Sequence, residues 1–213
     1  MKAKSLGEAV TETLLSEPAT ELAAEYAELG LDAVLSEGVL KDIPFVSSAL
    51  AIAKLGLSIS DRLLIGKLLT FLANLSAIEP EKRRDMIRRL ESDPTFHRKV
   101  GAHILELLSR IEGKEKAQMV AKVFTAYSAE KIDAKTLLRL NFAIERLPGS
   151  EIPSVRPFHN RSKQRPFVFD AYTGQALANA GLAKIDAGIG GVSFESTDLC
   201  RTFLELDLDR TST

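Results

Sequence analysis

Apolar residues recur every three to four positions from the N-terminus to about Pro148, and this spacing constrains the fold of the 213-residue chain more than any other feature. That period is typical of α-helices with one buried face. Helix-starting signals separate the segments, among them Pro44, Pro80 and the capping-box sequence SISD at Ser58–Asp61. The sequence therefore predicts a mainly α fold, with about six to eight helices in residues 1–149.

The same signals predict individual helix boundaries. The first helix is expected over Leu6–Leu15, and Pro44 is expected to begin a strongly apolar helix. Asp93 and Pro94 have the cap-plus-proline form, which predicts a helix start there. This helix has the cleanest amphipathic pattern in the chain and extends to Ile111.

Composition excludes several classes of protein. The 28 basic and 29 acidic side chains nearly cancel, which argues against wholesale wrapping of nucleic acid but permits a local basic patch. The single cysteine, Cys200, cannot form an internal disulfide, and no Cys/His spacing predicts a zinc site. Glu8 and Glu12 interrupt the N-terminus, which therefore lacks a signal-peptide pattern. A cytoplasmic location is expected, with peripheral membrane attachment as the alternative.

Composition changes after the helical array. Residues 150–168 are rich in proline and basic residues and are predicted to form a linker or extended arm. Residues 169–206 are predicted to form a small α+β subdomain that consists of a helix, a glycine-rich hairpin and a short helix. Residues 207–213 are predicted to form a tail. The predicted core residues of the subdomain are Leu177, Leu182, Ile185, Val192, Phe194, Leu199 and Phe203.

The C-terminal subdomain resembles the end of a winged-helix domain. A helix ends in Gly181 and Leu182, a glycine-containing wing follows at Ala187–Gly191, and a strand covers Val192–Glu195. Thr197 is placed to cap the last helix. The resemblance implies a recognition-type helix before the wing and either nucleic-acid binding or a packing role.

The residues of this helix favour the packing role. A helix that enters the major groove usually presents basic or amide side chains to phosphates and bases. The candidate helix has only Lys184 as a cation, with Gln175 and Asn179 as amide groups. In addition, Cys200 stands where many winged-helix sequences have glycine, and the proline-rich stretch leaves little room for two preceding helices.

A second, shorter resemblance lies near the end of the helical array. The sequence FTAYSAEKIDAK, which begins at Phe124, is similar to the helix-loop-helix of tellurite-resistance TerB-like domains. Glu130 and Lys131 occupy the positions of the Asp-Gly pair in that loop, before Ile132. Hard cations need clustered carboxylates and a sharp glycine turn, so no metal role is predicted here.

No catalytic pattern is visible. His97 and His103 lie six residues apart on one predicted helix and therefore on different faces, while His159 lies in the basic linker. The GIGG sequence lacks the Lys-Ser/Thr ending of a phosphate loop. We expect no enzyme activity, no cofactor, no metal and no small-molecule substrate.

Two basic stretches are candidate contacts for anions. The region around Arg83, Arg84, Arg88 and Arg89 has interleaved acids, which indicates a solvated helix face. The linker is less balanced and is the better candidate for contacting phosphate, nucleic acid or anionic lipid. Its proposed contact residues are Arg156, His159, Arg161, Lys163 and Arg165.

The most apolar stretch, Pro44–Ser60, has Lys54 as its one charge. A bilayer span needs about 20 apolar residues, so a permanent span is disfavoured and a central buried helix is preferred. If Phe45, Leu50 and Ile52 were exposed together, they would instead form a surface for a membrane or partner.

Three functions follow in order of preference. The first is a non-catalytic regulatory or accessory protein that binds another protein or a second copy of itself. The second is a membrane-associated effector that uses the apolar hairpin of residues 43–75. The third is a nucleic-acid-binding regulator that uses the basic linker and the C-terminal subdomain.

Overall fold

A computed structural model describes five stretches of the chain, residues 5–28, 43–52, 58–162, 170–188 and 191–210. Within these stretches the protein has eleven α-helices, one 3₁₀ helix and one two-stranded antiparallel sheet. The mainly α prediction is therefore confirmed. The chain divides into two compact units, Met1–Ala134 and Lys135–Thr213, so the boundary lies before the predicted position at residue 149.

The first unit contains seven helices among its described residues. They are α1 (Leu6–Leu15), α2 (Glu17–Glu28), α3 (Pro44–Ile52), α4 (Ile59–Leu75), α5 (Pro80–Ser92), α6 (Val100–Arg110) and α7 (Gly113–Ser128).

Two capping boxes fix helix starts in this unit. The Ser5 hydroxyl accepts the Glu8 N–H while the Glu8 carboxylate accepts the Ser5 N–H, and α1 then covers its predicted range. Ser58 and Asp61 form the same reciprocal pair at the start of α4, as their sequence predicts. Each box satisfies backbone donors that an isolated helix end leaves without partners.

The start of α6 differs from the prediction. The helix begins at Val100, because Asp93 closes a separate tight turn in which its carboxylate accepts the Thr95 N–H at 2.8 Å. Asp competes for nearby backbone donors in this way outside helices as well as at their caps. Phe96 is nevertheless buried, as its place in the apolar pattern predicts.

Helices α1 and α6 approach each other through glycine. A Cβ atom added to Gly101 would lie 2.1 Å from the Gly7 carbonyl oxygen and 2.7 Å from the Thr11 nitrogen. Gly7 in turn faces Ala102, with a hypothetical Cβ only 3.1 Å from the Ala102 backbone. The interface therefore depends on the missing side chains at both glycines.

The second unit follows with helices and one hairpin. Its elements are α8 (Ala134–Arg146), a 3₁₀ helix (Gly149–Ser154), α9 (Val155–Arg161), α10 (Ala171–Asn179), β1 (Ala183–Gly188), β2 (Gly191–Ser196) and α11 (Asp198–Glu205). The first residue of α8 is the last residue assigned to the first unit.

The described part of the predicted linker is helical. Residues 149–161 form the 3₁₀ helix and α9, so an extended arm is wrong for this part. Pro157 lies in the first turn of α9, where a helix does not need the missing N–H. Val155 and Phe158 are fully buried, which explains why this stretch packs as part of the second unit.

The small subdomain follows the predicted order of helix, hairpin and helix. Gly181 has a φ of +74° after the end of α10, and the Leu182 N–H donates to the Leu177 carbonyl at 2.8 Å. This is the glycine helix stop that the Gly-Leu pair predicts. Thr197 caps α11 by accepting the Cys200 N–H, also as predicted.

The predicted core of the subdomain is only partly buried. Phe194 lies against Gly174 of α10, where an added Cβ would meet the phenyl ring at 2.4 Å. Ile185, which pairs with Phe194 across the hairpin, and Val192 are instead exposed, so their assignment to the core is wrong. Alternation places both on the same sheet face as Phe194, and Val192 lies nearer the hairpin tip than Phe194 does.

Candidate functional site

The second unit contains a groove of about 600 Å³. Helix α8 forms one side with Lys135, Leu138, Arg139 and Phe142. The other side comes from the turn after α10 and the first residues of α11. A cleft of this size is within the usual range for binding sites.

Helical spacing explains why these four residues of α8 share the groove. They occupy positions i, i+3, i+4 and i+7, which lie on one helix face. Leu137, Leu140 and Ile144 lie on the opposite face and are fully buried. Packing of that face holds α8 in place and leaves Phe142 48% exposed on the groove side.

A hydrogen-bond junction shapes the other side of the groove. The Thr197 hydroxyl donates to the Gly181 carbonyl at 2.9 Å and accepts the Cys200 N–H at 3.2 Å. This one side chain therefore joins the end of α10 to the start of α11. Leu199 adds a partly exposed apolar side chain next to this junction.

The charges around the groove are unevenly distributed. Lys135 and Arg139 are exposed on the α8 side, and neither has an ion-pair partner among the described residues. Asp198 lies on the α11 side and pairs with Arg201 at 2.6 Å. The groove thus combines an apolar surface with cations on one side and a carboxylate on the other.

The basic stretch of α5 and α6 behaves differently. Arg88 and Arg89 both pair with Asp85, at 2.6 and 2.9 Å, and Lys99 pairs with Glu91 at 2.7 Å. Further pairs in this stretch are Arg89–Glu130, Lys82–Glu79, Arg84–Glu81, Arg98–Glu106 and Arg110–Glu106. The structure therefore places these cations in the ion-paired surface that the interleaved acids indicate.

Arg83 is an exception to that surface, because its side chain is buried rather than solvated. Desolvation lowers the pKa of the guanidinium, and the charges of Glu17 and Glu21 on α2 oppose this shift. Its Nε and Nη1 atoms have no hydrogen-bond partner in the described structure. Acidic neighbours make this an unfavourable place for an added anion.

The described members of the proposed anion-contact set do not form one open patch. Arg156 pairs with Asp209 at 2.6 Å and with Asp207 at 3.2 Å, so the predicted tail is tied to α9. Hydrogen bonding to Asp209 raises the pKa of Arg156. Arg161 is exposed, whereas Lys163 and Arg165 lie outside the described residues.

His159 belongs to a short polar chain. Its Nδ1 atom lies 2.7 Å from the Ser196 Oγ, and Ser196 also hydrogen-bonds to the Cys200 thiol. Burial raises the pKa of this thiol, which keeps it protonated and weakly nucleophilic. A serine–histidine contact alone lacks an oxyanion-binding group, so this geometry indicates a structural link between α9, β2 and α11.

The proposed membrane or partner surface is only partly described. Phe45 is 1% exposed, and its N–H donates to the Thr13 hydroxyl at 3.1 Å. The side chains of Leu50 and Ile52 lie outside the described part of the structure. Ile59 and Leu63, one turn apart on α4, are 79% and 62% exposed.

The described stretches were compared with the requirements of a membrane-spanning helix and of a metal site. No single helix there has the length and apolarity of a span, although the bent pair of α4 and α5 passes by length and composition. No group of His, Cys, Asp or Glu side chains in the same stretches could hold a metal ion.

Sequence reasoning missed the groove of the second unit. Its signal was present in α8, where Lys135, Arg139 and Phe142 share one face and no acid stands three or four residues from either cation. The apolar pattern of the same helix marks Leu137, Leu140 and Ile144, which face the core, and does not mark the groove face. Comparison with known protein families, with curated proteins and with solved structures finds no match.

Proposed function

We propose that this chain is a non-catalytic interaction protein whose second unit binds a segment of another protein in the α8 groove. The observation that carries this proposal is Phe142, a large aromatic side chain held half-exposed beside Leu138 and Leu199. Aromatic groups in concave apolar surfaces are typical centres of binding energy at protein interfaces. The α8 groove offers such a surface in the described second unit.

The other functional classes have less support. The Ser196–His159 contact alone does not supply a group that stabilises a reaction intermediate. On the proposed winged-helix reading, α10 would be the recognition helix. Its exposed face carries Tyr172, Gln175 and Asn179, and the two amides hydrogen-bond to each other at 2.9 Å. That face has no cation for phosphate contact, which favours a packing or protein-binding winged-helix variant.

Panning the full chain against a random displayed peptide library tests the proposal. Peptides should be recovered that bind the wild type and lose at least about tenfold in affinity on Phe142→Ser. Tyr172→Ser is the matched control, because Tyr172 is also an exposed aromatic residue of the second unit but lies outside the groove. Recovery of no peptide with Phe142-dependent binding would contradict the proposal.

A membrane-surface role is the second candidate, and the exposed pair Ile59 and Leu63 favours it. Adjacent apolar side chains at i and i+4 can enter the boundary between headgroups and acyl chains. Flotation with anionic liposomes, compared between the wild type and an Ile59→Ser/Leu63→Ser variant, tests this role. Binding that the double substitution leaves unchanged would eliminate this pair as the contact.

A further inference from the structure

We infer that the segment bound in the α8 groove is acidic, with carboxylates beside the apolar side chain that contacts Phe142. This inference rests on the proposed function and adds the chemistry of the partner. Its basis is the charge arrangement of the groove, in which the cations and the carboxylate occupy different sides. An apolar surface alone would not select the charge of its occupant.

Lys135 and Arg139 provide the attraction. They are four residues apart on α8, a rise of about 6 Å along the helix axis. Carboxylates one helical turn apart on a partner helix have nearly the same separation. Both cations are exposed and have no ion-pair partner in the described chain, so a bound carboxylate would not have to displace an existing one.

Arg146 extends this side of the groove. Its guanidinium lies over the Phe142 ring at 5.4 Å from the centroid, one further step along the same helix face. Lys135 and Arg146 are thus separated by about 17 Å of helix rise. A partner segment that follows α8 can meet positive charge along this whole length, with Phe142 between the ends.

Asp198 makes the two sides of the groove differ in charge. It lies on the α11 side and pairs with Arg201, but its carboxylate is 91% exposed and would still disfavour a second carboxylate at the same position. An acidic segment is therefore favoured with its carboxylates toward α8 and its uncharged side toward α11. Such unlike charges on opposite sides select the orientation of a ligand as well as its sign.

A protein segment fits better than nucleic acid. A protein that binds duplex DNA can contact roughly six to ten phosphates. The α8 face provides only three cations for such contacts. Leu138, Phe142 and Leu199 present the apolar surface that an amphipathic peptide can cover. Asp198 would also oppose a continuous phosphate backbone across the groove.

The peptides recovered with Phe142-dependent binding test the inference by their composition and by charge variants. They should be enriched in Asp and Glu next to an apolar residue, and their affinity should fall as ionic strength rises. A Lys135→Glu/Arg139→Glu variant should bind them at least about tenfold more weakly. Asp198→Asn should bind them about two- to threefold more tightly.

The matched control is an Arg84→Glu/Arg88→Glu variant, which reverses two paired cations of the first unit and should leave peptide binding unchanged. Denaturant unfolding of each variant separates loss of binding from loss of fold. Phe142-dependent peptides that are neutral or basic would overturn the inference and leave the proposed function standing. Absence of Phe142-dependent peptides would overturn both.

Two further measurements address other occupants of the groove. Binding of a single-stranded oligonucleotide that is lost in the Lys135→Glu/Arg139→Glu variant would overturn the inference in favour of nucleic acid. A concentration-dependent dimer in sedimentation that is lost on Phe142→Ser would overturn it in favour of a second copy. We expect neither result.

Discussion

Apart from the buried Arg83, the cations of the basic stretch in the first unit lie at the protein surface, as those of α8 do, but the two groups have different environments. Those of the first unit pair with acids on the same or a neighbouring helix, as Arg88 and Arg89 do with Asp85. Lys135 and Arg139 of the second unit have no such partner in the described chain. The denser basic stretch is therefore the less available one, because its charges are already neutralised.

The two units also differ in how completely their apolar faces are covered. The α1–α6 contact is so close that Gly101 has no room for a methyl group. Helix α8 buries Leu137 on one face but leaves Phe142 exposed on the other. The contact of α1 with α6 is therefore closed, whereas the groove face of α8 remains open and is the face that the proposed function uses.

The largest expected effect is a difference in unfolding free energy between substitutions on the two faces of α8. Leu137→Ala should lower the free energy of unfolding by about 4 kcal/mol, because it leaves a cavity in a fully buried site. Phe142→Ala should change it by less than about 0.5 kcal/mol, because the ring is half-exposed. Urea unfolding monitored by circular dichroism measures both values. Equal losses for the two substitutions would show that Phe142 is a core residue.

The next effect tests the closed contact of the first unit. Gly101→Ala should destabilise the protein by about 3 kcal/mol, because the new methyl group would collide with backbone atoms of α1. Gly66→Ala is the control in α4, where the added Cβ would make an ordinary 3.5 Å contact with Lys114. It should stabilise by up to about 1 kcal/mol through helix propensity. Similar midpoints for the two variants would contradict the close-packing argument.

A pH effect of up to about 3 kcal/mol is expected at His103, also in the first unit. Burial, with the nearby charges of Arg98 and Arg110, lowers its pKa from 6.5 to about 4. As pH decreases, His103 is therefore protonated near pH 6.5 in the unfolded chain but only near pH 4 in the folded protein. Stability should fall across this window as pH decreases.

Unfolding measured across the same pH range tests this expectation. His103→Leu should flatten the acid dependence, because it replaces the half-buried imidazole with a side chain that does not titrate. An unchanged acid dependence in this variant would assign the effect to other groups. The ion pairs of Glu106 with Arg98 and Arg110 lie nearby, so the comparison should be made at constant ionic strength.

The smallest predicted effect concerns a loop of the first unit. Glu130 has a φ of +58°, in the left-handed region that glycine adopts without strain. Glu130→Gly should stabilise the protein by about 0.5 to 1 kcal/mol, while Glu130→Ala should not. The weak pair with Arg89, at 3.4 Å, contributes little to this balance. A destabilised glycine variant, measured by urea unfolding, would contradict the strain argument.

Much of the fold could be predicted from local signals. Capping at Ser58 and Thr197, the range of α1 and the order of the C-terminal elements depend on interactions within a few residues. The start of α6 could not, because an Asp side chain serves equally in a cap and in a turn. Long-range packing of Phe158 decides that the proline-rich stretch is helical.

The candidate site was harder to predict, because it depends on which apolar faces neighbouring elements leave uncovered. Apolar periodicity marks Leu137 and Leu140 as core, but it does not show whether Phe142 will be covered. The hairpin has the same ambiguity, because Ile185 and Val192 share a sheet face with the buried Phe194 and are nevertheless exposed. Which apolar faces remain open depends on tertiary neighbours that a pattern of residues does not contain.

The Thr197 junction has a consequence for the thermodynamics of association. By joining the carbonyl of Gly181 to the first turn of α11, its two hydrogen bonds fix the side of the groove opposite α8 before any ligand arrives. Immobilising a loop on binding would subtract conformational entropy from the affinity. A groove whose backbone is already ordered avoids that loss, which would favour the proposed binding of a short segment with one apolar anchor.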